Sequence, residues 1–455
     1  MTRRLAQQIE GSWWGTLRVG QTPLRVVFHL KRNPDGSWTG TLDSPDQGAT
    51  GIALSKVRVE GKRVTLTVES INGEFVGTLS EDGREIKGEW CQVGNTFPLT
   101  LTAGEPPKAK RPQEPKPPFP YRVEEVVIPH QQERFRLAGT LTLPTGKPPF
   151  PAIVFFTGSG AQNRDQAIFE HKPFLVLADY LTRRGYATLR MDDRGVGKSE
   201  GEMRNATTLD FVGDLLSGVA YLKKRSEIDR RCIGVLGHSE GALVATLACA
   251  KAPKEIAFAI LLAGTGVPGE QILYRQAELI AQKSGVPQPL IERNRKLQER
   301  VFEILKREPN NDTASDQIYQ ILLENLPNRG TLNDAQKTAI REQAKAYTSP
   351  WFRTFVTLDP APYLRQVRCP VLVLNGERDL QVDPEQNLPA IERALKEGGN
   401  RHFTIRRLPN LNHLFQKAAT GLPTEYTQIE ETFNESALQV IADWLDQTVR
   451  KQVRR

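Results

Sequence analysis

The stretch CIGVLGHSEGALVATLACA, residues 232–250, constrains this chain more than any other. An apolar, strand-like run leads straight into Gly237-His238-Ser239-Glu240-Gly241, which leads straight into a run with the composition of a buried helix. A Gly-x-Ser-x-Gly turn between a strand and a helix is so tight that the two glycine positions, Gly237 and Gly241, have no room for side chains. It lifts the serine Oγ above the end of the strand, beside a helix N-terminus. A turn of this kind needs a layered α/β framework around it.

The sequence supplies one. PAIVFFTG (151–158), YATLRMDD (186–193), AFAILLAG (257–264), PVLVLNG (370–376) and HFTIRRL (402–408) are strand-like runs, the first four mostly apolar. Amphipathic segments such as FLVLADYLTRRG and LDFVGDLLSGVAYLKKR separate several of them. Near-continuous apolar strands alternating with helices predict a doubly wound, mostly parallel sheet covered on both faces. Residues 265–360 interrupt the rhythm with helical segments such as AELIAQKSG and DQIYQILLENL. An insertion after a strand's carboxyl end lies over the ligand-binding edge of such a sheet, so it reads as a helical cap.

The first hundred residues read differently. GSWWGTL (11–17), GSWTGTL (36–42) and GEFVGTL (73–79) repeat the pattern Gly-x-aromatic-x-Gly-Thr-Leu. With a strand's period of two, the aromatic, the second glycine and the leucine share one face. Turn signals such as Asn33-Pro34-Asp35-Gly36 and Glu81-Asp82-Gly83 lie between them. A small antiparallel all-β domain, barrel or sandwich, is expected over 1–102, with Trp13, Trp38 and Phe75 in its core in preference to forming a ligand platform. The Pro/Lys-rich stretch AGEPPKAKRPQEPKPPFP, 103–120, reads as an extended, solvated linker to a second domain over 121–455. Two domains suit a length of 455 residues.

Several functions are set aside by composition. The net charge of +8 is carried in short, scattered groups, Lys223-Lys224-Arg225 and the tail Arg450-Lys451, with Glu227 and Asp229 close to the first. That pattern is a solvated surface, and no nucleic-acid partner is expected. Cys91, Cys232, Cys249 and Cys369 have neither zinc-site nor disulfide-framework spacing and read as buried thiols. No membrane span and no signal-peptide pattern is visible, so a cytoplasmic location is expected. The run DDRGVGKSEG (192–201) ends like a phosphate loop, but the required first glycine is Asp192, which would place negative charge against phosphate. Asp193 and Arg194 read instead as ion-pairing braces for neighbouring loops.

A serine hydroxyl needs a base, and the base an orienting acid. Framework and motif together predict the chain order Ser, Asp/Glu, His. Of the six histidines, only His402 and His413 follow the run at 370–376. His402 opens a strand, whereas His413 lies in the loop LPNLNHLF and is the expected base. In NGERDLQVD, Asp379 follows the strand end and is the expected acid, in preference to Glu377. Asp383 precedes a proline and reads as a helix N-cap. His238, next to the serine, is expected to point away from it and to pack. Oxyanion donors are expected from the backbone N–H of Glu240 and from the loop FFTGSGAQNRD, Ser159 first and Gly160 next. Neither cofactor nor metal is called for.

The motifs GTLTLP (139–144), FFTGSGAQNRD (155–165), RMDDRGVGKSEG (190–201), GVLGHSEGA (234–242), LNGERDLQV (374–382) and NHLF (412–415) together resemble the α/β-hydrolase superfamily. More narrowly, they resemble bacterial carboxylesterases related to dienelactone hydrolases, here with an additional N-terminal β domain. The resemblance covers 121–455. It implies Ser239 as nucleophile, Asp379 as acid and His413 as base, acting through an acyl-enzyme on small or medium acyl esters. The dienelactone hydrolases proper use cysteine where this chain has Ser239. Two other functions fit the same fold: a serine peptidase or aminopeptidase, and a catalytically inactive binding or scaffold protein. Oligomeric state is not legible.

Overall fold

The computed structural model describes residues 9–449 apart from 20–21, 93–94, 108, 327–329 and 331. The basic pair Arg450-Lys451 lies outside the described residues. The chain divides into two compact units: Met1–Lys110 with Leu322–Ala344 and Pro423–Gln428, and Arg111–Ile321 with Lys345–Leu422 and Ile429–Arg455. No helix among the described residues is long and apolar enough to cross a membrane.

Nine strands build the first unit: β1 (Gly11–Val19), β2 (Thr22–Arg32), β3 (Trp38–Ser44), β4 (Ala49–Ala53), β5 (Lys56–Glu60), β6 (Arg63–Val68), β7 (Gly73–Leu79), β8 (Glu85–Gln92) and β9 (Asn95–Ala103). They form one antiparallel sheet in the order β4-β3-β2-β1-β9-β8-β7-β6-β5. The sheet curls on itself, because Phe28 of β2 meets Phe75 of β7 at 6.1 Å although three strands lie between them in that order. The repeat makes this possible. Trp13, Leu17, Phe75 and Leu79 are buried in the interior, with Trp38 half-buried against it. A Cβ at Gly15 or Gly40 would sit 2.4 Å from a carbonyl oxygen of the adjoining strand, so these glycines let the sheet bend inward.

The second unit holds an eight-stranded sheet: β10 (Arg122–Pro129), β11 (Arg136–Leu143), β12 (Phe150–Phe156), β13 (Ala187–Met191), β14 (Ile228–His238), β15 (Ala259–Leu262), β16 (Val371–Gly376) and β17 (Phe403–Leu408). Its order is β10-β11-β13-β12-β14-β15-β16-β17, parallel from β13 onward, with β10 and β11 antiparallel at one edge. This is the α/β-hydrolase fold that the motifs imply. Alternate residues of each strand feed opposite cores. Val154, Val235, Leu261 and Val373 meet helices α2 (Thr208–Lys223), α3 (Glu240–Lys251) and, further along the chain, Pro384–Glu397. Ile153, Leu236, Ile260 and Leu372 meet α1 (Pro173–Arg183) and the last helix, Glu435–Thr448.

The chain leaves β12 through α1 to β13 on one side, then returns through α2 to β14 on the other. The carboxyl ends of β12 and β14 therefore flank the crevice where strand order reverses, where open α/β sheets bind ligands. Between β15 and β16 the described residues hold six helices, α4 (Gly269–Lys283), α5 (Gln288–Arg307), α6 (Asn311–Glu324), α7 (Asp334–Tyr347), α8 (Pro350–Thr357) and α9 (Ala361–Leu364). α4, α5 and α8 pack on one another within the second unit. Residues 322–344 belong to the first unit, so the insertion is not a single body.

The stretch 103–120 is also less uniform than its composition suggests. Arg111 donates to the carbonyls of Glu170 and Ile429, at 2.9 and 2.8 Å, and Gln113 bonds the backbone of Thr432 and Phe433. Its second half is therefore anchored rather than solvated. All four cysteines are free thiols, but Cys91 is exposed and Cys369 half-buried, not buried as expected: Cys91 alternates with the inward-facing Trp90 on β8, and Cys369 precedes β16.

Candidate active site

β14 ends at His238, and α3 begins at Glu240. Ser239 between them has φ 57° and ψ −120°, a conformation that non-glycine residues rarely adopt and that costs about 1–3 kcal/mol. The surroundings enforce it. A Cβ at Gly237 would lie 2.0 Å from Gly241 O, and one at Gly241 would lie 2.3 Å from Phe156 O. The Ser239 N–H donates to Leu262 O of the neighbouring strand at 2.8 Å.

Asp379, in the loop after β16, is buried. Its Oδ1 accepts from the N–H groups of Gln381 and Val382 at 2.8 and 2.9 Å, and its Oδ2 bonds His413 Nδ1 at 2.8 Å. The loop bearing His413 follows β17 and is knitted by Asn412, whose Oδ1 accepts from the N–H groups of Leu414 and Gln416. That loop is tied to the loop bearing Asp379 by Arg378 N donating to Leu411 O at 2.8 Å. His413 and Ser239 line one cavity of about 250 Å³. Its walls include Gly158, Ser159, Ile272, Trp351, Phe355 and Val382, so it lies under α4 and α8. A larger cavity, about 310 Å³, opens between α4 and α5 but touches none of Ser239, Asp379 and His413; side chains, not size, mark the site.

His402 immediately precedes β17, at the amino end of the sheet and away from this cavity. Asp383 caps its helix by accepting from Glu385 N at 3.1 Å and pairs with Arg275 at 2.7 Å. Glu377 accepts from Asn410 N at 2.9 Å.

The loop after β12 brings Gly158, Ser159 and Gly160 beside the elbow. Asp193 staples it: Oδ1 accepts from Thr157 Oγ1 at 2.6 Å and Oδ2 from Gln162 N at 2.9 Å. Burial pushes the Asp193 carboxyl up to about 7, and the nearby acids Asp214 and Glu240 add to the shift. Asp193 therefore braces by bonds to neutral donors, not by the expected ion pairing. Arg194 does pair, with Asp214 at 2.8 Å and Glu133 at 3.0 Å. Asp192 accepts from Arg164 and from Lys198 N, which fills the space between 192 and 198 with a carboxylate where a nucleotide loop holds phosphate.

Glu240 sends its side chain away from its own N–H. The buried carboxyl accepts from Thr208 Oγ1 at 2.6 Å and Trp351 Nε1 at 2.8 Å, which joins elbow to cap, and burial raises its pKa. His238 departs from expectation. The pleat of a strand would turn it away from Ser239, but Ser239 is not in strand conformation, and the alternation stops there. The imidazole lines the cavity, bonding Gln166 Nε2 at 2.9 Å and His413 O at 2.8 Å. Gln166 and Asn412 were not singled out by the sequence, since nothing local marks them.

A second Ser–His–Asp chain exists in the first unit. Ser12 Oγ lies 3.0 Å from His29 Nδ1, and His29 Nε2 lies 2.9 Å from Asp43 Oδ2. Ser12 and His29 are directly opposite on β1 and β2, and Asp43 on β3 is diagonal to His29. Ser12 sits within a paired strand, and no helix begins beside it among the described residues.

Comparison with known proteins finds matches over part of the chain. Residues 171–352 match the family model described as serine aminopeptidase, S33. The esterase EstD of Thermotoga maritima is 25% identical over 311 residues, covering 68% of this chain and 65% of its own length. Among solved structures, the Pyrococcus furiosus esterase Pf2001 is 18% identical with a TM-score of 0.43, covering 76% of this chain and 99% of its own. Est1E from Butyrivibrio proteoclasticus, with ferulic acid bound, is 16% identical with a TM-score of 0.41, covering 72% of this chain and 100% of its own.

Proposed function

We propose that this α/β hydrolase is a serine carboxylic-ester hydrolase working through an acyl-enzyme on Ser239. The observation that carries the reading is the buried Asp379–His413 hydrogen bond of 2.8 Å, set in the cavity that also receives a serine held at φ 57°. His413 Nε2 takes the Ser239 proton as Oγ attacks the ester carbonyl. Asp379 fixes the imidazole tautomer and stabilises the imidazolium that forms. The N–H groups of Glu240 and Ser159, with Gly160 next in line, receive the oxyanion. Glu240 opens α3, and first-turn N–H groups have no acceptor within their own helix. His413 then protonates the leaving alcohol, and water releases the acid by the reverse sequence.

A cavity of about 250 Å³ lined by apolar side chains together with several uncharged polar ones suits a neutral ester with a small or medium acyl group. The family model's description raises an aminopeptidase as the second reading. Such an enzyme must hold a free ammonium group. Glu240 is the acidic residue among the described cavity lining; its Oε1 already accepts from Thr208 and Trp351, and burial disfavours the charged carboxylate that an ammonium would need. Ser239→Ala should abolish fluorophosphonate labelling and p-nitrophenyl acetate hydrolysis. Leucyl p-nitroanilide should remain intact under conditions where the ester turns over; rapid cleavage of the anilide would favour the peptidase. Well-folded protein that neither labels nor hydrolyses would favour a binding protein.

A further inference from the structure

Two features near the site have no part in that chemistry. Gln166 is almost wholly buried yet held at φ 50°, and Phe169 and Glu170 nearby also have positive φ. His238 is a buried imidazole beside the nucleophile, with its ring 4.7 Å from that of His413. The two side chains bond each other, and the groups at the ends of the chain they form determine every proton in it. Gly158 N–H can only donate, so Gln166 presents Oε1 to it, at 3.2 Å. The amide's NH₂ must then face His238 Nδ1, which accepts. At the far end His413 O can only accept, so His238 Nε2 carries the hydrogen. A neutral imidazole satisfies both ends. Burial pushes the imidazole down to about 3, and the titratable group bearing on it is His413.

We propose that Gln166 and His238 form an uncharged hydrogen-bonded strut that fixes the oxyanion loop relative to the loop carrying the base. Gln166 is the positioning residue. The inference rests on the reading of Ser239 and His413 given above. Engaging Gly158 N–H removes it as an oxyanion donor and leaves the following residue, Ser159, which lines the cavity, to supply that N–H. The bond to His413 O holds the base's own peptide, so both halves of the transition-state cradle share one rigid link.

The test compares Ser239→Ala, Gln166→Met and Gln166→Glu on p-nitrophenyl acetate between pH 6 and 9, with folded protein counted by near-UV circular dichroism. Methionine keeps the volume but breaks both bonds; kcat should fall about 10- to 100-fold while KM changes less than about threefold. The carboxyl variant keeps both bonds while it and His238 share one proton. Its kcat should stay near wild type at pH 6 and fall as that proton leaves, an alkaline limb the parent lacks. This variant carries the test should the methionine variant not fold. Wild-type kcat in Gln166→Met, or a pH-independent loss in Gln166→Glu, would overturn the strut while leaving Ser239 as nucleophile. Activity retained in Ser239→Ala would overturn the underlying reading and the strut with it.

Discussion

Gly241→Ala probes the coupling between the elbow and the loop beside it. The added methyl would lie 2.3 Å from Phe156 O and 2.4 Å from Thr157 O, against an ordinary contact of at least 3.4 Å, so backbone must move by about 1 Å. Phe156 and Thr157 directly precede Gly158–Gly160, and Thr157 is also tied to Asp193, so the displacement passes into the loop proposed to receive the oxyanion. Overpacking of a close-packed site costs about 1–3 kcal/mol. For a domain of this size that lowers Tm by a few degrees. A misplacement of about 1 Å in the catalytic array costs about 100-fold in rate. Thermal melts and kcat on p-nitrophenyl acetate should therefore show a folded enzyme, slightly less stable and about two orders of magnitude slower, with little change in KM. A variant that lost stability but kept wild-type kcat would refute the coupling, because the loop would then have moved without consequence.

Two other outcomes follow from particular contacts. Ser12→Ala should leave esterase activity unchanged, although Ser12, His29 and Asp43 form a hydrogen-bonded series; loss of activity in steady-state assays would implicate the N-terminal domain. Asp193, with its pKa raised by burial to about 7, favours folding most when protonated. Its contribution is fully present below about pH 4, its ordinary range, and is lost as pH rises through about 7. Replacing it in Asp193→Asn should flatten the fall of Tm between pH 4 and 7, and an unchanged Tm profile would contradict that assignment.

The sequence was most informative where a pattern is local. The apolar runs ending at Phe156, Met191 and Leu262 are strands because both faces of the parallel sheet are covered, and the elbow is legible because only glycine fits at 237 and 241. Asp383 is a cap for reasons contained in its own neighbours. What escaped was set by partners distant along the chain. The bond from Gln166 to His238 spans 72 positions and that from His238 to His413 O spans 175, so no periodicity announces them. The orientation of His238 was misread because a single left-handed residue breaks the strand's alternation. The division of the helical insertion at residues 322 and 344 is likewise invisible in its helical periodicity, which reports only that each helix has an apolar face.

The decisive measurement is the mass of the enzyme quenched within milliseconds of mixing with excess p-nitrophenyl acetate. One acetyl group per chain should be found on the peptide containing Ser239, absent from Ser239→Ala and trapped in greater amount in His413→Ala given a short incubation at high pH. Acetylation at another residue, or full turnover with Ser239 unmodified, would contradict nucleophilic attack from the elbow.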